Sequence, residues 1–202
     1  MAVLLFVCML AISAEPPTHV EICVEVFELP QPQAFSIQKM FVNGPDAERN
    51  RALGILRGNP AVKGTRSIAM GQWSCKPGGR SVFQTCKEYK YPTQYHASVD
   101  ETPAPVAFEM RQAGTIMEVE VSNGQNEGLY ALNATITTTE LSGKLSNPSS
   151  DTLRPPFVSS RIATQLDMTA GVPKLLGMYA PHPDLKAGPV LRVVIATIRP
   201  AD

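Results

Sequence analysis

The first pattern along the chain is an alternation of apolar and polar side chains over residues 20–29. One face of this segment carries four β-branched side chains, namely Val20, Ile22, Val24 and Val26. The opposite face carries Glu21 and Glu25. A period of two in β-branched residues predicts a half-buried β-strand. Two prolines, Pro30 and Pro32, end it.

The next segments predict one weaker strand and one helix. Residues 34–42 alternate loosely and are interpreted as a second strand. Asp46 then stands where it can cap a helix over residues 47–57, with Leu53, Leu56 and Ile55 facing inward. Gly58, Asn59 and Pro60 end this helix, which is the only good helical stretch in the chain.

The rest of the chain reads as strands separated by turns. The predicted strands are 67–74, 80–91, 106–121, 129–139, 157–168, 172–179 and 190–198. In the strand 129–139 the more apolar set should face the core, and it consists of Tyr130, Leu132, Ala134, Ile136 and Thr138. The predicted fold class is therefore mainly β with one short α-helix, built from antiparallel hairpins.

The N-terminus predicts export. Residues 1–12 form an unbroken apolar run, which is followed by Ser13 and Ala14 and then by Glu15 and two prolines. This pattern predicts a signal peptide over residues 1–14 with cleavage after Ala14, leaving one domain over 15–202. The alternative is a buried N-terminal strand, but the run does not alternate.

Composition excludes several function classes. The formal net charge is +0, with 18 basic and 18 acidic residues, so no broad positive field attracts nucleic acid. One segment does mix basic and aromatic side chains: Lys87, Tyr89, Lys90, Tyr91 and Tyr95. Such a mixture occurs on nucleic-acid-binding faces. At strand spacing it more often covers a sheet surface, and we expect no nucleic-acid partner.

The four cysteines leave one pairing open. Cys8 lies in the predicted signal peptide, so Cys23, Cys75 and Cys86 remain. In an oxidising compartment the natural pair is Cys75 with Cys86. A simple hairpin that turns at residues 77–79 does not place them opposite each other, so this disulfide is not predicted.

Catalytic signatures are scarce. Ser36 and Lys39 match the Ser-x-x-Lys pattern of serine β-lactam-binding enzymes, in which the serine opens a helix. Here the segment is interpreted as a strand, and no Lys-Thr-Gly completes such a site. His19, His96 and His182 belong to no metal-ligand pattern. We expect no catalytic, cofactor-binding or metal-binding residues and no cofactor, so the protein is predicted not to be an enzyme.

The order of these elements resembles the C-terminal core domain of secretins, the outer-membrane pore proteins of type II and type III secretion systems and type IV pili. The strand 20–29 resembles the first strand of that core. The segment 106–121 is similar to a later strand, with Gly114 at its glycine position. Residues 161–165 resemble an Arg-x-x-x-Thr element, and 170–178 stand where the family has a glycine-rich turn.

The resemblance implies a divergent, stand-alone, secretin-like β domain over most of the mature chain. Its implied role is structural, in the periplasm or outer membrane, linked to protein secretion or pilus-type machinery. The implied partners are copies of the chain or other envelope components, with peripheral or outer-membrane association. The alternative is a monomeric periplasmic or surface binding module with the same sheets. Four glycines are expected at special backbone positions: Gly114, Gly124, Gly171 and Gly177.

Overall fold

The computed structural model describes residues 18–58, 64–96, 104–141, 157–181 and 189–201. The predicted signal peptide, residues 1–14, lies outside these ranges, and so does His182. None of the helices in the described ranges is long and apolar enough to cross a membrane.

The described residues form eight strands and two helices. In chain order they are β1 (Val20–Pro30), α1 (Gln31–Asn43), α2 (Asp46–Gly58), β2 (Arg66–Cys75), β3 (Arg80–His96), β4 (Ala104–Asn123), β5 (Leu129–Leu141), β6 (Phe157–Thr169), β7 (Lys174–Tyr179) and β8 (Val190–Pro200). The mainly β fold class is confirmed, with two helices where the sequence predicted one.

The strands form two four-stranded sheets in which every neighbouring pair is antiparallel. Sheet A has the order β2-β1-β8-β7, and sheet B has the order β3-β4-β5-β6. Sheet B is thus a meander of consecutive strands. The two central strands of sheet A are β1 and β8, the first and last strands described. They pair from Val20 with Pro200 at one end to Pro30 with Val190 at the other.

The main core lies between the two sheets. Sheet A contributes the predicted apolar face of β1, and sheet B contributes alternate residues of β4 and β5. The predicted inward set of β5 is confirmed, because Tyr130, Leu132, Ala134, Ile136 and Thr138 are all buried. Across the two sheets, Trp73 on β2 stacks on Phe83 on β3 with ring centroids 5.6 Å apart. Alternation therefore predicted the face of β5 correctly.

A second core covers part of the outer face of sheet A, the face turned away from sheet B. Helices α1 and α2 pack there against Phe27 and Leu29 of β1 and against Val193 and Ile195 of β8. These central strands are thus buried on both faces over part of their length. The apolar run of β8 follows from this double burial.

The prediction of a strand over residues 34–42 is wrong, because this segment is helix α1. Its buried residues are Ala34, Ile37 and Phe41, which recur at the three- and four-residue spacing of one helix face. Pro32 lies in the first turn, where a missing N–H costs nothing. The loose alternation of the segment concealed this helical spacing.

The strands on either side of the turn at residues 76–79 belong to different sheets. β2 lies in sheet A and β3 in sheet B, so Cys75 is opposite Val20 and Cys86 is opposite Gly114. The three described cysteines are free. The chain crosses between sheets here instead of folding back as a hairpin.

Gly114 is the predicted glycine with the strictest backbone requirement. Its φ is +148°, and a Cβ at this position would overlap the backbone carbonyl oxygen of Thr85 on β3. A positive φ also occurs at Gly171, with a value of +74°. Gly114 marks the point where β5 begins to pair with β4, so β3 and β4 continue past it as a two-stranded arm.

Candidate functional site

The first candidate functional feature is a set of free sheet edges. Within the described residues, β3 and β6 each pair on one side only, and so do β2 and β7. A free edge presents unpaired backbone N–H and C=O groups, which favour pairing with another strand. The edge strands of sheet B are long, since β3 has 17 residues and β6 has 13.

Strand directions make the two edges of each sheet compatible. Because each sheet has four strands and all neighbours are antiparallel, the two edge strands of a sheet run in opposite directions. β3 of one copy can therefore lie beside β6 of another and continue the antiparallel order. The same holds for β2 and β7 in sheet A. Head-to-tail contacts of this kind close into rings when the rotation between copies permits.

The second half of β3, residues 87–94, contains residues that hinder backbone pairing with a strand of an unrelated protein. Pro92 lacks a backbone N–H, and the register shifts between Pro92 and Gln94. Lys87, Glu88 and Lys90 add charge to the same strand. The remaining edge, residues 80–86, is free of proline and bulges.

The basic and aromatic mixture on β3 covers the sheet. Tyr89 and Tyr91 pack against Phe157 at the start of β6, with ring centroids 6.1 Å and 6.0 Å away. Lys90 lies over the ring of Phe108 on β4 at 4.5 Å from its centroid. These contacts favour the sheet-covering interpretation of this segment.

A polar network joins the two sheets at one end of the sandwich. Arg192 on β8 donates from Nε to Glu28 (3.0 Å) and from its terminal nitrogen to Glu140 on β5 (2.6 Å). Tyr179 on β7 donates to Thr138 on β5 at 3.1 Å. Burial lowers the pKa of Arg192, but hydrogen bonds with Glu140, Tyr179 and Glu28 outweigh this effect and raise it. Arg192 thus remains charged and ties β1 to β5.

The second candidate feature is an open pocket of about 300 Å³ on the outer face of sheet A. Its floor consists of the parts of β1, β2 and β8 that the helices leave uncovered, and the end of α2 forms one wall. The lining residues are Glu21, Cys23, Glu25, Arg57, Met70, Gln72, Thr197 and Arg199.

One ion pair closes the helix side of this pocket. Arg57 donates from Nε and from a terminal nitrogen to the two carboxylate oxygens of Glu25, at 2.8 Å and 2.6 Å. The Glu25 side chain is only 4% exposed, so the bidentate pair satisfies a buried carboxylate. Hydrogen bonding to Glu25 raises the pKa of Arg57.

Cys23 lies beside this pair as a protonated thiol. Its sulfur accepts a long hydrogen bond from Arg57 at 3.6 Å. Burial raises the pKa of the Cys23 thiol, and the nearby Glu25 carboxylate raises it further. A thiol with a raised pKa is a poor nucleophile and a poor metal ligand. The pocket therefore offers binding groups rather than thiolate chemistry.

The Ser-x-x-Lys match lies on helix α1, and the interpretation of this segment as a strand was wrong. Ser36 and Lys39 are both exposed, and the Ser36 hydroxyl donates to the carbonyl oxygen of Pro32 at 3.1 Å. His19, directly before β1, and His96, the last residue of β3, are both exposed. In the part of the chain that the structure describes, no group of three metal-ligating side chains comes together.

The pocket was not predicted from the sequence. The alternation placed Glu21 and Glu25 on the polar face of β1, and nothing in the sequence linked them to Arg57 or Arg199. The edges likewise required knowledge of strand order. Only the resemblance to secretins, whose implied partners include copies of the chain, bears on these edges.

Comparison with known proteins identifies the fold. No protein-family model matches the sequence, and no curated protein matches it significantly. Among solved structures, the InvG secretin domain of the Salmonella SPI-1 injectisome is similar, with a TM-score of 0.55 and 13% identity over 92% of this chain and 64% of that chain. The V. cholerae type IV competence pilus secretin PilQ is also similar, with a TM-score of 0.51 and 11% identity over 91% of this chain and 61% of that one.

The fold is that of a secretin domain. The resemblance inferred from the sequence is thereby confirmed for the fold, and the low identity agrees with a divergent form. The chain spans less than two thirds of the length of these secretins. The match to the InvG domain covers 92% of this chain.

Proposed function

We propose that this chain is an exported, non-enzymatic protein of the bacterial envelope with a structural or assembly role in secretion or pilus-type machinery. Copies associate through their sheet edges into a closed ring. The observation that carries this proposal is the pair of four-stranded antiparallel sheets with compatible free edges. The secretin fold supports it, because the similar structures are a type III injectisome secretin and a type IV pilus secretin.

The assembly part of the proposal joins β3 of one copy to β6 of the next. Both strands are long enough to form many backbone hydrogen bonds, and residues 80–86 of β3 are regular. In sheet A, the edge strand β2 of one copy can pair with β7 of the next and form a second contact between the same two copies. A ring removes all four free edges at once, which is the physical advantage of closure.

The location and the absence of catalysis are further parts of the proposal. The apolar run 1–12 and the small residues that follow it support export to the periplasm or outer membrane. The sequence contains no complete catalytic motif, and the partial one lies on the exposed side of α1. Net charge of +0 favours protein partners over nucleic acid.

The first test is the mass of the mature protein, residues 15–202, measured by light scattering with and without mild detergent. A discrete large assembly that is ring-shaped in electron micrographs is the expected result. A monomer under both conditions contradicts ring formation by this chain alone.

Two neighbouring proline variants then test the edge itself. N–H groups along β6 point alternately to β5 and to the free edge, so one of Ala163→Pro and Thr164→Pro removes a hydrogen bond within the sheet and the other does not. The variant that keeps the wild-type melting temperature should lose the assembly. If that variant assembles like the wild type, β6 is not the contact.

A monomeric binding module with the same sheets is the second candidate function. The pocket on the outer face of sheet A favours it, because a structural ring component requires no such cavity. A monomer that binds a small ligand in this pocket is the result that would favour this candidate over the first.

A further inference from the structure

The main core between the two sheets is less completely covered at its two flanks than at its centre. Its partly buried apolar side chains, as far as the structure describes the chain, all belong to edge strands or to the turn between β6 and β7. They are Ile68, Trp73, Phe83, Ile162, Leu166, Ala170 and Tyr179. The edges of the sheets are therefore also the edges of an apolar core.

The two flanks differ in the side chains that they present. On one flank, Trp73 of β2 stacks on Phe83 of β3 with ring planes 7° apart. On the other flank, β6 presents Ile162 and Leu166. Strand β7 lies over β6 there, since a Cβ at Gly177 would be 3.0 Å from a side-chain atom of Ile162. On the side that faces the core, the β3 edge is thus aromatic and the β6 edge aliphatic.

We propose that the β6 edge of one copy packs on the aromatic edge of the next, so that the apolar core continues from copy to copy. Phe83 lies opposite Thr164 of the neighbour and fits between Ile162 and Leu166. This inference rests on the proposed function and adds the register of the contact and the side chains that determine it. Because the two flanks differ, the contact is head-to-tail and not two-fold.

Strand geometry leaves two registers for this contact. Side chains alternate along a strand, so the inward faces of β3 and β6 align only in steps of two residues. Three registers then place Phe83 on the aliphatic pair, opposite Ile162, Thr164 or Leu166. The first continues the sheet without stagger, because pairing across sheet B leads from Phe83 through β4 and β5 to Ile162. A sheet that closes on itself needs a staggered register, which leaves the other two.

Exposed charges support both staggered registers. Arg80 of β3 comes opposite or diagonal to Asp167 of β6, and Glu88 comes opposite or diagonal to Arg161, so each pair is within reach. Asp167, Glu88 and Arg161 form no ion pair within the described chain. The charges of the two edges are therefore complementary between copies.

Side-chain size and polarity decide between the two staggered registers. Opposite Leu166, Phe83 meets a side chain of similar bulk, and Lys87 lies opposite Ile162 on the face turned to the core. Opposite Thr164, the Phe83 ring faces a small side chain and lies between two larger aliphatic ones, so the edges interdigitate. Lys87 then lies opposite a serine. The register with Thr164 is therefore favoured.

Disulfide trapping reads the register, because β3 carries the free cysteine Cys86 on its outer face. In the proposed register Cys86 lies opposite Arg161 of the neighbour, whereas the other two registers place it opposite Ser159 or Ala163. A disulfide requires Cα atoms within about 7 Å, which directly opposite residues satisfy better than diagonal ones. Arg161→Cys should therefore form a ladder of covalent oligomers under copper phenanthroline, and Ser159→Cys and Ala163→Cys should not. The control is each variant with Cys86→Ser, which should form no ladder.

A charge exchange tests the pair on the outer face. Arg80 and Asp167 are both exposed, so Arg80→Asp and Asp167→Arg should keep the fold, which their melting temperatures check. Each single variant should raise the concentration for half-assembly about tenfold, because like charges then meet. The double variant should return to within about threefold of the wild type. Arg51→Asp, at an exposed arginine on α2, is the control and should not change assembly. A double variant that assembles no better than the single ones overturns the pair.

The one tryptophan of the chain gives a second readout. Trp73 emission should shift to shorter wavelength as the wild type assembles, because the neighbouring copy covers the aromatic pair. An assembly that forms without this shift overturns the contact at the aromatic flank.

Light scattering on the same samples separates this inference from the proposed function. A mature chain that stays monomeric overturns both. An assembly that forms its ladder with Ser159→Cys or Ala163→Cys, or with none of the three cysteine variants, overturns the register and leaves the assembly itself established.

Discussion

The outer face of sheet A has two halves that follow the same strands and differ in what covers them. Toward one end, Phe27 and Leu29 on β1 and Val193 and Ile195 on β8 are buried under the two helices. Toward the other end, the same face presents Glu21, Cys23 and Glu25 on β1 with Thr197 and Arg199 on β8 and forms an open pocket. The change occurs within two residues on each strand.

This contrast shows that the length of the two helices determines which residues of β1 and β8 are apolar and which are polar. Helices of 13 residues each are about 20 Å long and leave part of the sheet uncovered. Where they end, Arg57 at the end of α2 pairs with Glu25 and satisfies the first polar residue beyond the apolar half. The ion pair is thus the boundary between the half that the helices cover and the half that is open.

The largest predicted effect comes from placing a charge in the covered half. Ile195→Asp buries a carboxylate among the apolar side chains under the helices and directly opposite Glu25, whose partner Arg57 is already paired, and should cost more than about 4 kcal/mol of unfolding free energy. Met70→Asp lies in the open half of the same face, where Met70 is 49% exposed, and should cost less than about 2 kcal/mol because the new carboxylate stays in water. Urea denaturation followed by circular dichroism measures both.

Equal losses for these two variants would contradict the division of the face into two halves. If Met70→Asp also unfolds the chain, the pocket is a dry part of the core rather than an open site.

A smaller effect is expected at the boundary itself. Arg57→Ala leaves the buried Glu25 carboxylate without its cation and should lower the unfolding free energy by about 3 kcal/mol. The matched control is Arg80→Ala, which removes an exposed pair with Glu118 on sheet B and should cost less than about 1 kcal/mol. Denaturation of both variants at the same ionic strength gives the comparison.

The double variant Arg57→Ala with Glu25→Gln isolates the cause. It should recover part of the loss, because a neutral amide is less costly to bury than an unpaired carboxylate. A double variant that is no more stable than Arg57→Ala would attribute the loss to the packing of the arginine stem instead.

Sequence reasoning predicted the single-strand features well and the relations between strands less well. The inward set of β5 and the core face of β1 follow from a period of two, which depends only on one strand and one buried face. Helix α1 was missed because its buried Ala34, Ile37 and Phe41 lie within a segment that also alternates. Assigning β2 and β3 to different sheets requires tertiary contacts that no local pattern encodes.

The candidate site shows the same limit. The polar face of β1 was visible in the sequence, but the pocket depends on the distant residues Arg57 and Arg199. Likewise, the free edges depend on strand order. The resemblance to secretins supplied what periodicity could not, since it carries the order of the whole chain.

The smallest predicted effect distinguishes a buried hydroxyl that has no hydrogen-bond partner from one that has a partner. Thr197→Val replaces a buried hydroxyl that has no partner in the described chain and should leave the unfolding free energy unchanged or raise it by up to about 1 kcal/mol. Thr115→Val makes the same change on β4, where the buried hydroxyl lies 3.3 Å from that of Thr138. That variant should lower the unfolding free energy by about 1 kcal/mol, because Thr138 loses a partner. Thermal denaturation of both variants without ligand tests the difference in sign, and a loss of stability in Thr197→Val equal to that in Thr115→Val would mean that the pocket hydroxyl already stabilises the fold.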